Sequence, residues 1–293
     1  MARFGRVLTA MVTPFNDDGS LDLDGAARLA RWLVAHGNDG VVVAGTTGEA
    51  PTLDKQEHLD LIRTVREALP DAVVVAGAGS NDTRHAIEMT ETVTDIGADA
   101  VLSVGPYYNR PPQSGIEAHF RAIAASTDLP IVVYDVPGRT GRRISHEVLV
   151  RLFSEVENCV AFKDATGDPA GAARLLASVP EVEIYSGDDA LTLPLLAVGA
   201  VGVIGTSTHW TAPEMTELVV AAEKGDLDRA REINARLQPS FQYVNSETCV
   251  FSQSVKVMMG VLDVPVGECR LPLGPAPDGT EERARRVLEE LRG

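Results

Sequence analysis

Eight short apolar segments, rich in Val, Ile and Ala, recur between Val7 and Ile204 and are separated by longer segments with helical spacing. Each segment is almost continuously apolar rather than alternating, which is typical of parallel strands that are covered on both faces. The segments are Val7–Val12, Gly40–Ala44, Val73–Gly77, Ala100–Val104, Ile131–Val136, Val160–Lys163, Val182–Tyr185 and Val201–Ile204. They predict an α/β fold that is built on a parallel sheet.

The segments between these strands place apolar residues on one side of a helix. Leu29, Trp32 and Leu33 fall on one such stripe, and Ser145 stands where an N-cap residue is expected. The predicted helices are Leu23–His36, Gln56–Leu69, His85–Ile96, Gly115–Ala125 and His146–Phe153. Strands and helices that alternate in this way predict parallel strands joined by right-handed helical crossovers.

The number of β–α units, about eight, is the number that closes a (β/α)8 TIM barrel. An open doubly wound sheet is the alternative, but no G-x-G-x-x-G segment follows the first strand. Helical periodicity then continues over Leu227–Leu237, Val250–Met259 and Thr280–Leu291, with a Pro- and Gly-rich loop over Leu271–Gly279. We predict a barrel over residues 1–224 and a C-terminal helical extension over residues 225–293.

The charge and the cysteines of the chain restrict where it acts and what it binds. The formal net charge is −16, so no excess of basic residues is available to neutralise a nucleic acid. The three cysteines are widely spaced, which suits a reducing compartment, and the six histidines show no metal-ligand spacing. No apolar run approaches the ~20 residues that span a bilayer. We predict a cytoplasmic protein without a metal and without a nucleic-acid or membrane partner.

Lys163 ends an otherwise apolar predicted strand. Active sites of closed barrels lie at the C-terminal ends of the strands. Burial of the ammonium group is unfavourable, and the resulting fall in pKa suits an amine that attacks a ketone. The alternative is a structural lysine that pairs with Asp164 or extends from the strand end to solvent. This residue alone leaves both interpretations open.

Three other predicted strand ends carry unusual residues. The turn Gly45–Glu49 has two glycines and backbone N–H groups that suit a carboxylate, although a simple tight turn also fits. Tyr134 offers a hydroxyl that can donate and accept protons, and Arg139 just beyond it can grip a carboxylate with two hydrogen bonds. Tyr107 and Tyr108 lie in a Pro-rich loop and fit either a site or an interface.

A pair of carboxylates follows the seventh predicted strand, in Ser186-Gly187-Asp188-Asp189. Such a pair fits acid–base chemistry, but it also directly precedes a helix. The sequence favours N-capping and turn formation over acid–base chemistry here.

Taken in order, these segments resemble the 4-hydroxy-tetrahydrodipicolinate synthase (dihydrodipicolinate synthase) family. This family belongs to the pyruvate-dependent class I aldolase superfamily, which includes N-acetylneuraminate lyase. The matching segments are Gly45–Glu49, Tyr107–Pro111, Tyr134–Thr140, Phe162–Gly167, Ser186–Asp189 and Arg270–Pro272. The resemblance implies a TIM-barrel enzyme that condenses pyruvate with L-aspartate 4-semialdehyde in diaminopimelate and lysine biosynthesis. It also implies a homotetramer that is built from tight dimers.

The resemblance further implies a role for each matching residue. Lys163 would form an imine with pyruvate, and Tyr134 would transfer protons during imine formation and later steps. Thr46 and Tyr108 would complete a hydroxyl relay with Tyr134, Tyr108 being contributed by the neighbouring subunit. No metal or organic cofactor is expected, because the imine itself is the electron sink.

Substrate binding is implied at the remaining matching positions. Thr46 and Thr47 would hold the carboxylate of pyruvate, and Arg139 would bind the carboxylate of the semialdehyde. Gly187 and Ile204 would contribute backbone groups near the site.

Two alternatives to this function remain. Another lyase of the superfamily would act on a keto-sugar acid, but the charged Arg139 suits a short carboxylated aldehyde better. A non-catalytic barrel would not be expected to keep Lys163, Tyr134, Thr46 and Arg139 together. Lysine-inhibited members of the family have neutral or acidic residues at the positions of Lys55 and His85, so strong inhibition by lysine is not expected here.

Overall fold

Eight short parallel strands form the centre of the computed structural model, which describes residues 2–292. The strands follow one another in sequence order around a closed barrel. They are β1 Val7–Ala10, β2 Gly40–Val43, β3 Val73–Gly77, β4 Ala100–Val104, β5 Ile131–Asp135, β6 Cys159–Asp164, β7 Glu183–Ser186 and β8 Gly202–Gly205. The predicted (β/α)8 barrel is confirmed, and no strand end differs from its predicted position by more than two residues.

Helices follow the strands and then continue to the C-terminus. They are α1 Leu23–Ala35, α2 Lys55–Ala68, α3 Thr83–Ile96, α4 Gln113–Ala124, α5 Pro137–Thr140, α6 His146–Glu155, α7 Pro169–Ser178, α8 Thr192–Ala197, α9 Thr208–Glu223, α10 Leu227–Val244, α11 Phe251–Val261 and α12 Thr280–Arg292. The predicted helices and the C-terminal helical part are confirmed. In α9 the buried residues are not confined to one stripe, so periodicity did not mark where this helix begins. None of the helices over residues 2–292 is long and apolar enough to cross a membrane.

The chain divides into two compact units. The first contains Val75–Ile204 together with the N-terminal segment through Arg3, and the second contains Phe4–Val74 together with the chain from Gly205 onward. The predicted division at residues 224 and 225 stays a prediction.

In the first unit, the register of the strands determines which residues lie beside Lys163 near the end of β6. Tyr134 on β5 pairs with Lys163 on β6, and Lys163 pairs with Tyr185 on β7. All three residues are buried, between 0% and 6% exposed. Neighbouring parallel strands therefore carry these side chains at the same level.

In the second unit, a buried polar cluster joins β1, the end of α1 and the start of α9. Thr9 Oγ1 lies 2.5 Å from Asn38 Oδ1 and 2.8 Å from Thr208 Oγ1. Asn38 Nδ2 donates to the backbone oxygens of Leu33 and Thr208 at 3.1 and 3.3 Å. Because buried polar groups need partners, the Asn38 amide holds the three elements together.

We predict that Asn38→Ala lowers the free energy of unfolding by about 2–4 kcal/mol, because several buried groups lose their partner at once. Chemical denaturation followed by circular dichroism measures this change. Asn245→Ala is the control, since Asn245 is exposed, and it should change the value by no more than about 0.5 kcal/mol. Equal effects of the two substitutions would contradict this role of Asn38.

Candidate active site

The Lys163 amine lies at the C-terminal end of β6. Burial disfavours the charged ammonium and lowers the pKa of Lys163 to about 8, against the opposing effect of the Asp189 charge. Within residues 2–292 no carboxylate forms an ion pair with Lys163; Asp164 instead accepts from the Thr166 N–H at 2.8 Å. An appreciable fraction of the amine is therefore unprotonated near neutral pH, as a nucleophile requires.

A second buried lysine differs from the first in its partners. The sequence has four lysines, of which Lys163 and Lys256 are buried. Lys256 Nζ lies 2.8 Å from Glu49 Oε1 and donates to the Glu268 backbone oxygen at 2.9 Å. Its ammonium group is thus already paired with a carboxylate, so Lys163 is the buried lysine that is suited to attack a carbonyl.

The Tyr134 ring lies against the Lys163 side chain. The Lys163 Nζ atom is 4.5 Å from the centroid of this ring, and the two residues are register partners on β5 and β6. Tyr134 is 5% exposed. The structure therefore brings the predicted nucleophile and the predicted proton-transfer residue together, because the register of two parallel strands fixes their relative height.

Two charged residues act on the Lys163 amine from outside its own strand. Asp189 raises the pKa of Lys163, and Arg139 lowers it, although burial has the larger effect. Arg139 lies in α5, directly after β5, and is exposed.

The capping interpretation of the Asp188–Asp189 pair is confirmed only for Asp188, which accepts from the Ala190 N–H at 3.0 Å. Asp189 is buried at 5% exposure, and its charge is part of the site.

Gly187 follows β7 and lies against Lys163. Its N–H donates to the Asp164 backbone oxygen at 2.8 Å. A Cβ atom at this position would lie 3.1 Å from Lys163 Cγ and 3.0 Å from Ala165 Cβ. These contacts are tighter than ordinary van der Waals contact, so a side chain at position 187 would require Lys163 or Ala165 to shift by a few tenths of an ångström.

A buried carboxylate on β5 supports the loop that carries Arg139. Asp135 is 0% exposed, and its Oδ2 atom accepts from the Ile144 N–H at 3.0 Å. Burial raises the pKa of Asp135 to about 7, against the lowering effects of that hydrogen bond and of Arg143. Asp135 was not predicted as a functional residue, since a single acidic residue at a strand end does not show whether it is buried.

We predict that Asp135→Asn removes a pH-dependent loss of stability. A raised folded-state pKa favours the protonated acid, so this contribution is complete below the unfolded pKa of about 3.9 and is lost as pH rises through about 7. The loss is at most about 1.4 kcal/mol per pH unit. The melting temperature of the variant should gain on that of wild type up to about pH 7, and the difference should stay constant above it.

Differential scanning fluorimetry over this pH range measures the difference. Asp164, whose pKa is also raised by burial, is present in both proteins, and its charge is one of the effects that raise the pKa of Asp135. Melting temperatures that follow parallel curves in the two proteins would show that Asp135 does not titrate as described.

Tyr108 and Ile204 occupy very different surroundings. Tyr108 is 89% exposed in the single chain and has a φ of 70°, in the left-handed region. Arg110 in the same loop donates from Nε to the Gly141 backbone oxygen at 2.9 Å. Ile204 is buried in β8 at 1% exposure. Tyr108 thus points into solvent from a loop that is tied to the end of α5.

In the second unit, the turn Gly45–Glu49 follows β2 and contains both predicted carboxylate-binding threonines. Thr46 is half-buried and Thr47 is 3% exposed. The Glu49 N–H donates to the Thr46 backbone oxygen at 3.2 Å, which closes the turn. Glu49 has a φ of 56°, in the left-handed region that non-glycine residues seldom adopt. We call residues 45–49 the β2 turn.

Comparison with known proteins places this arrangement in a family. Residues 3–291 match the sequence model of the dihydrodipicolinate synthetase family. The chain belongs to that family. A 4-hydroxy-tetrahydrodipicolinate synthase from Acidothermus cellulolyticus is 48% identical over 99% of this chain and 92% of its own length. The 4-hydroxy-tetrahydrodipicolinate synthase 2 of Streptomyces coelicolor is 49% identical over 95% of this chain and 93% of its own length.

Solved structures of dihydrodipicolinate synthases share the fold. The enzyme from Bacillus anthracis superposes with a TM-score of 0.94 at 38% identity and covers 99% of both chains. The enzyme from Cyanidioschyzon merolae, solved with lysine bound, gives a TM-score of 0.95 at 40% identity over 99% of this chain and 98% of its own. The resemblance to the dihydrodipicolinate synthase family is confirmed, and a keto-sugar lyase is not favoured. The roles of the individual residues stay predictions.

Proposed function

We propose that the protein condenses pyruvate with L-aspartate 4-semialdehyde to 4-hydroxy-tetrahydrodipicolinate, in diaminopimelate and lysine biosynthesis. The observation that carries this proposal is the buried Lys163, whose pKa is lowered to about 8 beside Tyr134. Membership of the dihydrodipicolinate synthetase family supports it, as do the names of relatives that are 48% and 49% identical.

The proposed chemistry runs through the Lys163 nitrogen. This nitrogen bonds to the carbonyl carbon of pyruvate, and loss of water leaves a protonated imine. The cationic imine makes the methyl group acidic, and loss of a methyl proton gives an enamine that attacks the aldehyde carbon of the semialdehyde. The amino group of the semialdehyde then displaces Lys163 and closes the ring. No cofactor is required, since the imine accepts the electrons.

Proton transfer is the second requirement of this chemistry. The Tyr134 hydroxyl can donate and accept protons, and the contact of its ring with Lys163 supports a role in imine formation. In this proposal Thr46 and Tyr108 extend the relay from Tyr134, as the family resemblance implies. Such a relay would deliver the proton that the carbinolamine hydroxyl needs in order to leave as water.

Recognition of the two carboxylates distinguishes the substrates. We assign the pyruvate carboxylate to Thr46 and Thr47 and the semialdehyde carboxylate to Arg139, with backbone groups of Gly187 and Ile204 near the reacting atoms. Arg139 supports a short acidic aldehyde, because a guanidinium binds a carboxylate with two hydrogen bonds. A polyhydroxylated sugar acid would leave most of that charge unmatched.

We predict that sodium borohydride with pyruvate fixes a covalent adduct on Lys163, because reduction converts the imine to a stable secondary amine. Peptide mass spectrometry locates the adduct. Lys163→Met should abolish both the adduct and turnover with aspartate 4-semialdehyde, measured in a coupled reductase assay.

Two control variants test whether the adduct and the turnover depend on Lys163 and not on another lysine. Lys224→Met, on an exposed lysine, should keep the adduct and the turnover. Lys256→Met tests the other buried lysine and should leave the site of modification at Lys163. An adduct that persists in Lys163→Met, or no adduct in wild type, would overturn the proposed function; cleavage of a keto-sugar acid without condensation would favour the other lyase.

The proposal includes a homotetramer of tight dimers in which Tyr108 serves the site of a neighbouring subunit. The support is the position of this side chain, which is 89% exposed in the single chain although it stands in a segment that matches the family. In this proposal the neighbouring subunit covers the exposed Tyr108 hydroxyl and receives it in its own site. Light scattering on the purified protein tests the assembly.

We predict that mixing subunits restores activity. Lys163→Ala and Tyr108→Phe should each be inactive alone, yet together they form dimers that carry one site with Lys163 and Tyr108 both intact. Random pairing should restore about a quarter of wild-type activity, since half of the dimers have one of two sites intact. Coupled turnover before and after joint refolding measures this recovery.

The matched control pairs Lys163→Ala with Tyr134→Phe. In the proposal, Lys163 and Tyr134 of each site come from one subunit. Every subunit in this mixture lacks one of the two residues, so no intact site forms and no activity should return. Equal behaviour of the Tyr108 and Tyr134 mixtures would place Tyr108 in the site of its own chain.

We further propose that the protein acts in the cytoplasm and is not strongly inhibited by lysine. The support for a reducing compartment is that Cys159, Cys249 and Cys269 are all free thiols and buried. The support for weak inhibition is the cationic Lys55, together with His85, at positions where inhibited relatives receive a cationic ligand.

A further inference from the structure

The β2 turn is joined to the C-terminal helices by a buried ion pair. Lys256 on α11 lies 2.8 Å from Glu49, and the two side chains are 3% and 1% exposed. Removing two charges from water is unfavourable, and an apolar pair of the same size would avoid that cost. The pair therefore points to a need for one particular geometry of the turn.

The backbone of Glu49 shows what that geometry is. Its φ of 56° and ψ of 34° lie in the left-handed region, which is unfavourable for a residue with a Cβ atom. The Glu49 carboxylate is held by Lys256 on one oxygen and accepts from the Arg270 N–H at 2.9 Å on the other. Contacts of the side chain thus maintain a backbone conformation that the residue does not favour by itself.

The two residues before Glu49 are held in the same way. The Ser252 hydroxyl donates to the Thr47 backbone oxygen at 3.0 Å, and the Thr13 hydroxyl donates to the Gly48 backbone oxygen at 2.5 Å. Ser252 and Lys256 are four residues apart on α11, so they lie on the same face of this helix. Helix α11 therefore holds the β2 turn at two points.

Arg270 anchors this arrangement to the rest of the second unit. Its guanidinium forms two hydrogen bonds with the Glu57 carboxylate, at 2.7 and 2.5 Å. Arg270 Cζ and Lys256 Nζ each lie 4.2 Å from the centroid of the Phe15 ring. The Arg270-Leu271-Pro272 segment thus packs directly against the contacts that hold the turn.

We propose that Glu49, Ser252 and Lys256 are positioning residues for Thr46 and Thr47. The C-terminal helices then serve pyruvate binding and are more than an appended layer. This inference rests on the proposed function, in which these threonines hold the pyruvate carboxylate. Release of the turn weakens the binding of pyruvate and leaves the binding of the semialdehyde unchanged, because Arg139 belongs to the other unit.

Two serines on α11 provide a matched test. Ser252 and Ser254 are 1% and 0% exposed, but the Ser254 hydroxyl has no hydrogen-bond partner among residues 2–292. Ser252→Ala should raise the KM for pyruvate about fivefold, the effect of one hydrogen bond, with kcat and the KM for the semialdehyde little changed. Ser254→Ala should leave all three constants as in wild type.

The ion pair is tested separately. Lys256→Met should raise the KM for pyruvate more than tenfold, and Lys256→Arg, which keeps the charge, should recover part of that loss. A structural role alone would not raise the KM for pyruvate while leaving the KM for the semialdehyde unchanged. Thermal denaturation shows which variants fold. If Lys256→Met does not fold, the comparison of Ser252→Ala with Ser254→Ala tests the proposal.

The pyruvate concentration that gives half-maximal borohydride trapping, measured by intact-mass spectrometry, distinguishes failure of the proposed function from failure of the positioning role. No adduct in wild type would overturn the proposed function and, with it, a role in positioning pyruvate. A wild-type adduct with the same pyruvate dependence in Ser252→Ala and Ser254→Ala would overturn the positioning role alone.

Discussion

Desolvation of one amine is the constraint on which the candidate site depends. Lys163 loses contact with water because its register partners on the two neighbouring strands, Tyr134 and Tyr185, are themselves buried. The same burial that disfavours the ammonium lowers its pKa to about 8. Asp189 and Arg139 act on this value in opposite directions, so their charges tune the amine and do not neutralise it. A strand end is suited to this task, since the strand fixes the amine while the following loop leaves it open to a substrate.

The two buried lysines are similar in burial and differ in their partners. Lys163 and Lys256 are 6% and 5% exposed, and burial lowers the pKa of each. Lys256 has a carboxylate at 2.8 Å that favours its charged form. Lys163 has the Tyr134 ring at 4.5 Å and no ion-pair partner among residues 2–292. What separates a reactive lysine from a structural one is therefore the partner, and this partner need not be near in sequence.

This difference explains how far the sequence could predict the structure. The strands and the positions of Lys163 and Tyr134 were predictable, because continuous apolar segments and residues at their ends are local signals. The buried charge of Asp189 was missed, since a carboxylate before a helix carries the same local signal whether it caps the helix or faces the amine. The Glu49–Lys256 pair was also missed, because the two residues are more than two hundred positions apart. The exposure of Tyr108 depends on how its loop leaves the barrel, which composition does not show.

The order of the chain has a consequence for how the β2 turn is assembled. Glu49 is unfavourable in its left-handed conformation, and the groups that hold it, Lys256 and the Arg270 N–H, come from the last part of the chain. Contacts between residues so distant in sequence carry a large entropic cost of loop closure and tend to form late in folding. The strand that precedes the turn can form with its neighbours, but the threonines gain a defined position only when α11 packs. The buried Lys163 amine and the turn are thus specified by different physical means: the amine by the local pattern of its own strand, and the turn by the helices that complete the chain.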